Sequence, residues 1–399
     1  MDKESGFVPS GGITSPQGFL AGATGAGIKY ANRLDLGILY SETPGTAAAL
    51  FTTNKIKAAP VVLDIERLKG GKVSAVVMNS GCANACTGSQ GMKDAMAMAA
   101  LVARQVGVDD ESVLVASTGV IGTFLPMERI AAGISKIVLT VEGGHDIARA
   151  IMTTDTVPKE AAVRAAGFTI GGMAKGAGMI HPELATMLGF LTTDVAVDAG
   201  FLWEALREAA DMSFNMLSVD GDNSTNDMLL IIANGIAGGQ TITGDSRQAG
   251  VFQEALNRVC IYLAKALARD AEGATKFIEV SVCGAASLTD ARRAARTIVG
   301  SSLVKAAVHG SDPNWGRVLA AAGRSGAALE GDKLELYIGG TRLVQNGSPV
   351  PYDKEEVVGH LNGKEVSIKL DLHLGDAEAT TWGCDLSEEY VKINAEYTT

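Results

Sequence analysis

Short apolar runs rich in β-branched residues recur along the chain: Val73–Met78, Ser112–Ala116, Met187–Thr192, Met228–Ala233, Phe277–Val282, Leu334–Ile338 and Val366–Leu372. Each has the length and character of a strand. The last alternates Val366, Ile368, Leu370 and Leu372 with Ser367, Lys369 and Asp371, the period of a sheet with one wet face. Other stretches repeat at helical spacing. Met92–Val106 is rich in Ala and Met. Ala199–Leu217 sets Leu202, Ala205, Leu206, Ala209 and Met212 on one stripe, and Phe252–Ala268 repeats the pattern with Leu256, Val259, Cys260, Leu263 and Leu267. Met at such spacing reads as core filler. Strands gathered into some runs and helices into others predict an α+β fold, with layered sheets flanked by helices, rather than a doubly wound one.

Composition narrows the function. The chain has 399 residues, 47% of them apolar and 20% charged, which supports a large core and argues against disorder. Lys plus Arg number 34 against 45 Asp plus Glu, a net charge of −11, so no nucleic acid is expected as a partner. The densest basic cluster, Arg292, Arg293 and Arg296, reads as the solvated side of a helix. No run of about 18 apolar residues exists, so no membrane span is expected. The start, MDKESGFVPSGG, is neither basic nor apolar, and no signal peptide is expected. The five scattered cysteines suggest no disulfide framework, which favours a reducing, cytoplasmic location. Cys82 and Cys86 form the one close pair, without a second pair to complete a zinc site, and no metal is expected.

The common catalytic signatures are missing. There is no GxxxxGK[ST], no GxSxG and no HExxH, and Gly22–Gly27 (GATGAG) lacks the spacing of a dinucleotide loop. What stands out is 171–194, GGMAKGAGMIHPELATMLGFLTTD. A glycine-rich, flexible stretch holds one cation, Lys175. A His-Pro turn follows, then Ala185-Thr186 at the mouth of an apolar strand. A Thr hydroxyl there can attack the preceding carbonyl, shift the acyl group from nitrogen to oxygen, and leave an ester for water to cut. The new chain would begin with Thr186, a nucleophile whose own α-amine, titrating near ~7.7–8.0, serves as its base. On pattern alone, a loop entering a buried strand is the better explanation of Ala-Thr.

The segment resembles the ornithine acetyltransferase (glutamate N-acetyltransferase) family of arginine biosynthesis, whose KG[SA]GM-(I/L)-x-P-x-x-ATML block stands here as KGAGMIHPELATML. Further family-like blocks run the length of the chain: FTTN (51–54), NSGCANACTG (79–88), STGVIG (117–122), MTTDTVPK (152–159), SVDGDNSTND (218–227), RDAEGATK (269–276) and DPNWGR (312–317). The chain closes on INAEYTT. One departure is Cys82, where Asn is the commoner residue.

The resemblance implies a self-processing architecture like that of the N-terminal-nucleophile enzymes. It implies cleavage between Ala185 and Thr186 into an α chain, 1–185, and a β chain, 186–399, assembled as α₂β₂. It implies a ping-pong exchange in which N-acetylornithine acetylates Thr186, ornithine leaves, and glutamate takes the acetyl group. No cofactor is required. Some members also accept acetyl-CoA, which makes it a candidate second donor. Thr118 and Gly119 would stabilise the oxyanion. Thr153, Lys175, Thr186, Glu272, Asn394 and Thr399 would contact substrate, Lys175 pairing with the α-carboxylate and Glu272 attracting the side-chain cation of ornithine. His309 is a tempting base that an N-terminal nucleophile does not need. The acidic SVDGDNSTND block reads as Asx-type turns before the strand at Met228. The rival function is a related self-cleaving aminopeptidase, which passes the acyl group to water.

Overall fold

The computed structural model describes residues 6–180 and 187–396. The chain divides into two compact units. One takes in the described parts of Met1–Gly176, Glu183–Phe214 and Asp222–Leu263; the other takes in those of Ala177–Pro182, Asn215–Gly221 and Ala264–Thr399.

The first unit is built on one eight-stranded sheet. Its strands are β1 (Phe19–Thr24), β2 (Leu36–Phe51), β3 (Lys72–Asn79), β4 (Val113–Ser117), β5 (Lys159–Ala165), β6 (Phe168–Lys175), β7 (Leu188–Thr193) and, after β8 (Leu217–Ser218) of the other unit, β9 (Met228–Ala233). The order across the sheet is β4-β3-β2-β9-β7-β6-β5, with β1 paired to β2. Successive residues of β3 enter different clusters. Val76 and Met78 pack with Phe19, Leu39, Phe190 and Leu230, whereas Ala75 and Val77 pack with Ile38, Val115 and Met98. Both faces are therefore covered, which is why β3, β4, β7 and β9 read as unbroken apolar runs rather than alternations. The helix Gly88–Val106 covers one face with Ala95, Met98, Ala99 and Val102. Met98 is core, as expected of Met at this spacing, but Met96 faces solvent.

Two expectations are corrected here. The first part of the glycine-rich stretch read as flexible, 171–175, lies in the buried strand β6. A Cβ on Gly171 would lie 2.2 Å from the Gly12 carbonyl oxygen, and one on Gly172 2.7 Å from the Leu191 side chain, so these glycines admit close neighbours. The helix expected to reach Leu217 ends at Met212. Ser213 leaves helical geometry, and Leu217–Ser218 is drawn into the other sheet by parallel pairing with Trp382–Gly383.

The second unit has a seven-stranded sheet, completed by β10 (Phe277–Ala285), β11 (Glu335–Ile338), β12 (Thr341–Gln345), β13 (Ser348–Pro349), β14 (Glu365–Asp371) and β15 (Ala377–Cys384), in the order β13-β12-β11-β14-β10-β15-β8. Strand β14 buries Val366, Ile368 and Leu370 and exposes Ser367 and Lys369, as its alternation predicts. The helix Leu288–Val299 starts at Ser287, whose hydroxyl accepts from the Asp290 amide. It lays Ala291, Ala294, Ala295 and Ile298 on this sheet and carries Arg293 outward. Both units are mixed α+β, with sheets flanked by helices.

Candidate active site

Strand β4 ends in the Thr118-Gly119 turn. The Thr118 amide donates to the Asn79 carbonyl at 3.0 Å. Ser117 Oγ donates to Asn79 Oδ1, Asn79 Nδ2 to the Cys82 carbonyl, and Asn226 Nδ2 to the carbonyls of Ser117 and Ala83. These buried amides hold the turn from three sides. Gly119 has φ +128°, and a Cβ there would lie 2.3 Å from the Gly81 carbonyl carbon, so only glycine fits.

Lys175, the last residue of β6, donates from Nζ to Thr118 Oγ1 at 3.1 Å, with both residues buried. A hydroxyl that accepts from an ammonium keeps its own proton to give to something else. Asp155 lies close by in the electrostatic sense. Its Oδ1 accepts from Lys159 Nζ at 2.5 Å and from the Gly176 amide at 2.8 Å, and its Oδ2 accepts from the Thr153 amide at 3.0 Å. Burial alone would raise this carboxyl, but Lys159, Lys175 and the hydrogen bonds outweigh it and hold it at about 2. Asp227 behaves oppositely. Burial pushes its carboxyl up to about 8, against the pull of the Ser224 and Thr52 hydrogen bonds and the charge of Lys175.

The register places this cluster at the entry of β7. Lys175 pairs with Leu188, Leu188 pairs with Met228, and the Met228 amide donates to the Met187 carbonyl. Ala185 and Thr186, the expected scissile pair, lie outside the described residues, as does Thr399. Thr153 is half-buried, and its carbonyl accepts from Arg33 at 3.2 Å.

In the second unit, Glu272 is buried and accepts from Asn394 Nδ2 at 2.8 Å, so the structure brings these two expected residues together. Asn394 sits on the helix Glu388–Ala395. That helix begins at Ser387, whose hydroxyl donates to the Gly273 carbonyl. His309 Nδ1 meets Asp385 at 2.7 Å and Nε2 meets Glu388 at 3.3 Å, so both ring nitrogens face carboxylates. Lys276 donates to the carbonyls of Val308 and His309 at the end of their helix. The acidic block splits. Ser224, Asn226 and Asp227 make the expected turn bonds. Asp155 and Asp227 were missed as parts of the Lys175 cluster; the one clue to Asp155 was its i,i+4 spacing from Lys159 inside MTTDTVPK. Among the described residues no group of His, Cys, Asp and Glu side chains is placed to hold a metal ion, and no helix is long and apolar enough to cross a membrane.

Comparison with known proteins adds to this geometry. The sequence profile of the ArgJ family matches residues 20–399. The arginine biosynthesis bifunctional protein ArgJ of Symbiobacterium thermophilum is 56% identical over 398 residues, covering 98% of this chain and 99% of that one. Its counterpart from Dehalococcoides mccartyi is 53% identical and covers both chains in full. The crystal structure of the protein of that name from Bacillus halodurans is 43% identical and superposes with a TM-score of 0.52, covering 53% of this chain and all of that one.

Proposed function

Because the chain belongs to the ArgJ family and is an acetyltransferase of arginine biosynthesis, we propose that it transfers acetyl from N-acetylornithine to glutamate through an acetylated Thr186. Self-cleavage comes first. The Thr186 hydroxyl adds to the Ala185 carbonyl carbon, and the C–N bond breaks to give an ester and a free amine. Water then hydrolyses the ester, leaving the Ala185 carboxylate on chain 1–185 and Thr186 at the head of chain 186–399. In catalysis the α-amine takes the hydroxyl proton as oxygen attacks the acetyl carbonyl, and it returns that proton to the departing ornithine. Glutamate repeats the steps in reverse. One amide is exchanged for a similar amide, so no energy source is needed.

The observation that carries this reading is the Lys175–Thr118 hydrogen bond on a turn closed by Gly119. It supports Thr118 as an oriented donor to the oxyanion, with the Gly119 amide as its partner. The burial of Lys175 beside Thr118 supports its role toward the substrate α-carboxylate. Thr153 and Thr399 are proposed contacts of the same substrate. Glu272, buried beside Asn394, supports a role toward the ornithine ammonium. Acetyl-CoA is a candidate alternative donor, and α₂β₂ is the proposed assembly.

On a denaturing gel the purified protein is expected as fragments of 185 and 214 residues (399 − 185). Thr186→Ala is expected as one full-length band. N-terminal sequencing of the second fragment should read Thr-Met-Leu-Gly, and any other start sinks the assignment. Exchange of labelled ornithine into N-acetylornithine without release of acetate separates the transferase from a hydrolase.

A further inference from the structure

The segment leading from β6 toward the ATML block is gripped by one carboxylate. Asp220 Oδ2 accepts from the Met179 amide at 2.6 Å and Oδ1 from the Ile180 amide at 2.8 Å. The grip is returned through the backbone, since the Val219 amide donates to the Ile180 carbonyl at 2.8 Å. Met179 has φ +58°, a left-handed conformation that residues with long side chains seldom adopt. Neighbouring Gly178 leaves no room to relax, because a Cβ there would lie 2.3 Å from Glu272 Oε2. The Asp220 carboxylate is in turn oriented by Tyr390 Oη, which donates to Oδ2 at 3.1 Å from the helix Glu388–Ala395.

We propose that Asp220 is a positioning residue for self-cleavage: it holds the left-handed turn at Met179 and so fixes the backbone at 179–180, five residues before the Ala185-Thr186 bond. The proposal rests on the cleavage reading above. The effect of Asp220 falls on the fraction of chains whose 179–180 backbone is set for attack. Tyr390 contributes by fixing the carboxylate.

The test follows cleavage of the full-length chain after cell-free translation, by the conversion of one gel band into two. Asp220→Asn keeps the shape but loses one charge-assisted acceptor, and cleavage should slow by about ten- to a hundredfold. Adding Met179→Gly, which reaches φ +58° without strain, should restore most of the rate, a rescue that a purely structural loss would not show. Tyr390→Phe, at a half-buried position, should slow cleavage by about three- to tenfold, and it decides the matter if Asp220→Asn yields no folded protein. Cleavage at the native rate in Asp220→Asn, or slowed cleavage that Met179→Gly leaves unrescued, overturns the proposal. If Asp220→Asn cannot be read, native-rate cleavage in Tyr390→Phe overturns it. A wild-type chain that stays in one band overturns the cleavage reading itself.

Discussion

Thr118 accepts a hydrogen bond from Lys175, which leaves the hydroxyl proton for the oxyanion proposed above. Thr118→Ala should lower turnover by about 10²–10³ with a much smaller change in KM, because the donor acts on charge that exists only in the transition state. Near-native turnover would move the oxyanion donors elsewhere. Asp227 raises a separate question of pH. Its folded carboxyl titrates near 8 against an ordinary 3.8, so between those values the folded state holds a proton that the unfolded chain has lost. Its contribution to stability is complete below 3.8 and disappears as pH rises through 8. Asp227→Asn should therefore gain on the wild type between about pH 4 and about pH 8 in urea unfolding, with no further gain above that. The same window holds the proposed α-amine of Thr186. A limb of the activity profile that persists in Asp227→Asn belongs to the amine, and this is the expected result; a limb that vanishes belongs to the carboxyl.

Among the elements, β5 and β6 carry the charge balance of the site. Lys159 and Asp155 expose 1% and 0% of their side chains. Removing one partner leaves the other charged and dry, so Asp155→Ala should cost about 3–5 kcal/mol of stability in chemical unfolding. A loss under about 1 kcal/mol would show the pair to be wetter than its burial indicates. The folded carboxyl, at about 2, lies below its ordinary 3.8, so this stabilisation is present above 3.8 and is lost as pH falls toward 2. These elements also mark what sequence could and could not disclose. Strands β4, β7, β9 and β14 were legible because their apolar patterns report burial directly. Strand β6 was not, because Gly171 and Gly172 tell of flexibility until their neighbours, Gly12 and Leu191, are known. Likewise the ATML and STG blocks pointed to chemistry, whereas Asp155, Asp220 and Asp227 resembled ordinary turn carboxylates. Their roles come from burial and from partners distant in sequence, neither of which spacing encodes.

For the molecule as a whole, the strand order of the first sheet matters most. Reading across β4-β3-β2-β9-β7-β6-β5, a cut after residue 185 assigns β4, β3 and β2 to one product, β9 and β7 to the other, and β6 and β5 to the first again. The products are thus woven together, and parting them breaks two antiparallel ladders, β2 with β9 and β6 with β7. The proposed cleavage would therefore set no fragment loose; it would erase the covalent memory of how the weave was made. A Thr186→Ala chain, unfolded in denaturant and diluted, regains its sheet at a rate independent of concentration. The mature pair must first meet, so its recovery slows with dilution, and a β chain that collapses alone has lost the strands on either side of its own. An enzyme cut in this way would be assembled once, as a precursor, and would persist through the slowness of its unfolding rather than through any ease of return.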